Sequence, residues 1–150
     1  MKKQIKLFGK TFLYTFRLRR VRRRRVRRVS SKSSRKNYLK YKETARSLVQ
    51  NRIEHFKEIY ITCGFVFKVG RISIRNQRTR WGSCSKMGNL NFNYRIVLLP
   101  PLLSDYIIVH ELCHIGQFNH SAKFWNLVAV ACPNYLQIQR ELKQKGLNLS

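Results

Sequence analysis

The chain has 150 residues, enough for one domain that buries roughly two-thirds of its unfolded surface in a single core; this excludes a mini-protein held together by disulfides. Hydrophobic residues make up 43% and aromatics 12%, the composition of a packed chain rather than a wholly disordered one. The formal charge is +26, from 32 Lys and Arg against 6 Asp and Glu, and it is split unevenly: residues 1–42 hold 18 basic residues and no acid, leaving +8 for residues 43–150.

Every apolar run in the sequence, residues 96–99 and 106–109 among them, falls far short of the ~18 residues a transmembrane helix needs. Gly9, Lys10 and Thr11 interrupt any apolar signal core near the N-terminus, so the chain reads as unsecreted and cytoplasmic. Cys63, Cys84, Cys113 and Cys132 form no Cys-x-x-Cys pair, which points to reduced thiols rather than a zinc knuckle or a redox motif.

In chain order, Phe12, Tyr14, Phe16 and Leu18 alternate with polar residues and predict a short strand. An arginine-rich run at residues 19–28 and a serine-rich stretch follow; like charges repel, so residues 19–37 are expected to be mobile. Residues 1–37 thus read as a basic, largely flexible arm, and residues 38–150 as the folded domain. Tyr41, Ala45, Leu48, Arg52, Phe56 and Tyr60 recur at steps of three and four and predict an amphipathic helix from Tyr38. Strands are predicted at residues 65–75, 88–93 and 95–99, with a Gly/Ser turn at residues 81–85. Pro101 opens a helix that ends at Gly116, Ser121 is placed to cap a second that stops before Pro133, and a last helix is expected over residues 133–145. Strands followed by helices define an α+β chain.

The chemistry concentrates in His110-Glu111-Leu112-Cys113-His114. Two histidines four apart on a helix lie about 40° apart around its axis, so both can face one metal ion while Glu111 flanks them as a general base for a metal-activated water. A hydrolytic zinc site takes three protein ligands and leaves one position open. His120 is the nearer candidate for the third, across the Gly116 break, and Glu141 is the rival from a later helix. The metzincin pattern is excluded, because Gln117 stands where it needs glycine and the only methionines are Met1 and Met87.

Several motifs join this box: Thr79-Arg80-Trp81-Gly82-Ser83-Cys84-Ser85, Gly88-Asn89-Leu90-Asn91-Phe92-Asn93, Pro100-Pro101, Asp105 through His114, and Asn119-His120-Ser121 with Phe124-Trp125. Over about residues 41–142 the set resembles the YgjP-like metallopeptidase domain, related to SprT-like and WLM-domain proteases. The resemblance implies a compact zincin-like fold with a small sheet packed on helices. It also implies one Zn2+ per chain on His110, His114 and His120, Glu111 as the base, and a protein or peptide substrate.

Other residues have plainer readings. Trp81 and Gly82 either line a groove that accepts an extended peptide as an added strand or anchor the core and a tight turn. Arg78, Arg80 and Arg95 read first as solvated charges, Tyr94, Tyr106 and Cys113 as packing, and Phe124 and Trp125 as the support that fixes His120. One alternative function uses the same metal site to hydrolyse a nucleoside triphosphate, with those arginines on phosphate. Another is a nucleic-acid-binding protein with a structural zinc. Thirteen basic residues within residues 2–28, interleaved with Phe12, Tyr14 and Phe16, suit salt-sensitive binding to nucleic acid. The sequence carries no signal for oligomeric state.

Overall fold

Residues 2–7, 10–15 and 31–144 are described by the structure, a computed structural model. Strands β1 (Lys2–Leu7) and β2 (Lys10–Thr15) pair antiparallel, with Lys2 opposite Thr15 and Leu7 opposite Lys10. Phe16, Leu18 and the arginine run lie outside the described residues.

Helix α1 spans Ser31–Thr62, so residues 31–37, expected to be mobile, form its first two turns. The tertiary structure supplies a foothold there: the Asn76 amide donates to Ser34 Oγ over 3.0 Å, tying this end of the helix to the loop that follows residue 75. The stripe of α1 that faces the core is Ala45, Val49, Ile53, Phe56 and Tyr60, and Leu48 and Arg52 flank it, half-buried.

A three-stranded sheet follows, built from β3 (Ile72–Arg75), β4 (Gly82–Cys84) and β5 (Leu90–Asn93) in the order β3-β5-β4. β3 runs parallel to β5, and β4 runs antiparallel to it at the edge, with Gly82 opposite Phe92. Only the last part of the strand expected over residues 65–75 joins the ladder. Just before it, Gly70 N–H donates to Gly88 O (2.9 Å) and Arg71 N–H to Asn89 Oδ1 (2.8 Å), so these donors serve the β4–β5 turn instead. That turn needs Gly88, whose φ of +72° is reached without strain only by glycine and whose missing Cβ would stand 2.7 Å from Lys68 O.

Two further expectations are corrected. Residues 81–85, expected as a turn, contain β4. Residues 95–99, expected as the third strand, curl into a 3-10 turn at Tyr94–Leu98 because Asn93 Oδ1 accepts the Arg95 N–H at 3.2 Å. A side chain that caps a backbone donor in this way competes with a strand ladder.

Helix α2 (Pro101–Gly116) begins and ends where Pro101 and Gly116 predict. Residues 106–113 are buried without interruption, so α2 has no solvent face along its middle: α1, α3 (Ala122–Ala131), α4 (Tyr135–Gln144) and β4 surround it. Ser121 occupies the N-cap position of α3, but its side chain makes no capping hydrogen bond. No helix among the described residues is long and apolar enough to cross a membrane.

Two polar contacts lock the helices around this core. Arg52 on α1 grips Asp105 on α2 through two hydrogen bonds of 2.7 and 2.8 Å. Tyr60, at the other end of α1, donates its hydroxyl to Leu127 O on α3 (2.9 Å) and sits 3.1 Å from Cys113 Sγ on α2. Because Tyr60 is fully buried, Tyr60→Phe is expected to destabilise the chain by about 1 kcal/mol. Urea denaturation should show a lower midpoint with an unchanged slope.

Candidate metal centre

His110 and His114 point from the same side of α2, and the loop after the helix returns His120 to them. The three ring centroids form a near-equilateral triangle of 4.8, 4.9 and 5.0 Å. One ring nitrogen of each lies within 4.8 Å of the others, and His110 Nε2 and His120 Nε2 stand 3.1 Å apart. Two imidazole lone pairs at that distance repel unless a proton or a cation stands between them. Ligands ~2.05 Å from a tetrahedral zinc ion lie ~3.3 Å from each other, so the His110–His120 pair stands at the spacing that such an ion requires.

The protonation state fits as well. Burial, with His114 and His120 as neighbours, pushes the His110 imidazole down to about 3. His114 is also lowered, mainly by burial. Both are neutral at physiological pH, the form that ligates a metal. His114 Nδ1 is 3.1 Å from Gln117 O; donation to that carbonyl puts the proton on Nδ1 and leaves the Nε2 lone pair free.

His120 is exposed and lies between helices, so its position depends on neighbouring rings. Phe124, fully buried, stacks on His114 at 4.6 Å and meets His110 and His120 edge-on at 5.0 and 4.8 Å. Trp125 stacks on His120 at 5.5 Å, and Tyr135 stacks on Trp125 at 5.2 Å. The support expected of Phe124 and Trp125 is present. Tyr135 completes the column, and the sequence offered no signal for it, because only the Pro133 break between α3 and α4 folds it back.

Glu111 is 1% exposed, and neither carboxylate oxygen has a hydrogen-bond partner among the described residues. Burial pushes its carboxyl up to about 8, against a lowering by the nearby Arg80 charge. Strand β4 lies directly over it: a Cβ on Gly82 would stand 2.5 Å from Glu111 Cγ and 2.6 Å from Oε1. Gly82 therefore acts through close approach to Glu111, a role hidden in the sequence because the contact joins a strand to a distant helix.

The remaining candidates separate from this cluster. Glu141, on α4, is not among the grouped ligands. Tyr106 is buried, with its hydroxyl accepting from Gln139 at 3.0 Å, and Tyr94 is buried edge-on to Tyr38. The Arg95 guanidinium lies over the Tyr94 ring. Cys113 is buried beside Tyr60, its thiol pushed up to about 12 chiefly by burial, and all four cysteines are free.

A buried helix that presents two histidines and a glutamate beside a sheet edge defines the metallopeptidase class. The family model described as YgjP-like, metallopeptidase domain, matches residues 9–145, and the chain belongs to this family. Among solved structures, the zymogen of the metallopeptidase abylysin from Pyrococcus abyssi is 26% identical, with a TM-score of 0.57 over 68% of this chain and 99% of that one. The zymogen of jannalysin from Methanocaldococcus jannaschii is 27% identical, with a TM-score of 0.52 over 65% of this chain and 95% of that one. No curated protein matches the chain. The chain is accordingly a metallopeptidase, an α+β hydrolase of zincin-like fold.

The Gly82 contact makes a direct prediction. Gly82→Ala forces a methyl group into the Glu111 side chain and is expected to destabilise the protein by about 1–3 kcal/mol. Removing the clashing atoms in Gly82→Ala/Glu111→Ala should recover part of that loss, which a double-mutant cycle from urea denaturation would measure.

Proposed function

We propose that this chain hydrolyses amide bonds of peptides or proteins with one zinc ion held by His110, His114 and His120, and with Glu111 as the general base. The reading is carried by one observation: three imidazoles converge beside a buried carboxylate that has no partner within the described protein. Zinc, when bound, supplies Lewis acidity that activates a water and polarises a carbonyl. Glu111 accepts the proton of the attacking water at a carboxylate oxygen and delivers it to the departing amine nitrogen. Burial raises its affinity for a proton, which suits the first of these two transfers. Gly82 and β4 exclude bulk water from the carboxylate, and the Gln117 carbonyl holds His114 in the tautomer that ligation requires.

Metal analysis should find about one zinc per chain, lost from His110→Ala and from His114→Ala. Glu111→Gln should keep the zinc and lower peptide hydrolysis by at least about 100-fold. Zinc retained in both histidine variants would sink the assignment.

We further propose that the basic segment read from the sequence as residues 1–37, whose residues 31–37 already belong to α1, binds nucleic acid and holds the peptidase of residues 38–150 near proteins bound there. The support is the excess of charge before residue 43 and the effective concentration that a tether provides. Affinity for duplex DNA should fall steeply with salt. Replacing the arginines of residues 19–28 with glutamine should flatten that dependence, and an unchanged slope would refute the arm as the binding element.

A further inference from the structure

Between Glu58 and Asp105 the chain contains seven basic residues and no acid. This acid-free stretch includes the whole three-stranded sheet and the loop that leads into the edge strand β4. Two of its arginines, Arg78 and Arg80, sit in that loop, are exposed, and form no ion pair among the described residues.

The loop is not a loose surface segment. Asn93, buried at the end of β5, spends both protons of its side-chain amide on it, donating to Gln77 O at 2.8 Å and to Arg80 O at 3.0 Å. Its backbone N–H donates to Trp81 O at 2.8 Å. Arg78 is thereby bracketed between two fixed carbonyls, and Arg80 is held two residues before Gly82, the residue in closest approach to Glu111.

From this placement we infer that Arg78 and Arg80 form a cationic rim beside the reaction centre that selects peptides carrying Asp or Glu near the scissile bond. The inference rests on the metallopeptidase reading above. Carboxylate side chains match guanidinium groups by hydrogen-bond geometry as well as charge, and neither arginine is engaged in an ion pair among the described residues. A backbone already fixed by Asn93 lowers the ordering cost when a substrate binds. The same charge sign disfavours Lys- and Arg-rich segments, which gives selectivity by repulsion as well as attraction.

The test uses the full-length, zinc-loaded protein and a randomised peptide mixture, with cleavage sites read by mass spectrometry. Asp and Glu should be enriched about 3- to 10-fold over Lys and Arg within the few positions around the cleaved bond. The enrichment should shrink when salt is raised from about 50 mM to about 500 mM. Arg78→Gln/Arg80→Gln should abolish the enrichment, and Arg78→Glu/Arg80→Glu should invert it. Both side chains are exposed and the anchoring contacts use backbone carbonyls, so the fold should persist in either variant, as circular dichroism would verify.

Cleavage without acidic preference, or a preference unchanged in both variants, overturns the inference alone. Failure to cleave any peptide overturns the metallopeptidase reading and this inference with it. A third outcome reassigns the rim: if a short oligonucleotide inhibits cleavage, and the double variants escape that inhibition while showing no altered peptide preference, Arg78 and Arg80 serve nucleic acid instead.

Discussion

Burial of α2 around its full circumference is the constraint on which the rest of the structure depends. A helix in that position must find partners inside the protein for every polar group it carries, because no water reaches them. His114 meets the demand through the Gln117 carbonyl. His110 Nδ1 and both Glu111 oxygens do not meet it with any described protein group. These unsatisfied atoms lie together beside Gly82 and the three-histidine cluster. Foldability and chemistry conflict at this point, as they commonly do at functional sites.

The surrounding elements give that conflict a defined geometry. On one side, β5 positions Asn93, which holds the loop before β4 and so sets the height at which Gly82 passes over Glu111. On the other, α3 and α4 supply Phe124, Trp125 and Tyr135, whose rings locate the exposed His120 without any direct backbone support from α2. Helix α1 contributes no residue to the metal centre, yet it ties the helices together through Arg52 and Tyr60. A site assembled from four elements acquires its precision from this packing rather than from any single segment.

Charge adds a second layer of organisation. The basic excess before residue 43 and the acid-free stretch around the sheet have the same sign, so both favour anionic partners. Long-range attraction of this kind raises the rate of encounter and is screened by salt. It complements the short-range geometry of the site without replacing it.

The sequence by itself determined what depends on local order. The proline and glycine that bound α2, and the four-residue spacing that puts His110 and His114 on one side, are properties of neighbouring residues and a helical period. Resemblance across the chained motifs extended this to the family. What only the tertiary structure decided is how competing local signals resolve once the elements pack together. His120 rather than Glu141 joins the ring cluster because aromatic stacking brings the loop back. Residues 82–84 become a strand because β5 offers a free edge, although a Gly/Ser segment carries little strand signal of its own. Residues 95–99 curl because the Asn93 side chain captures the Arg95 N–H, outcompeting their apolar, β-branched composition. Residues 31–37 are helical because Ser34 finds Asn76 across the fold. The Ser34–Asn76 contact spans 42 residues and lies in no sequence window, whereas the Asn93 cap and the Trp125 stack are local contacts that compete with other local signals, and only the packing around them settles the competition.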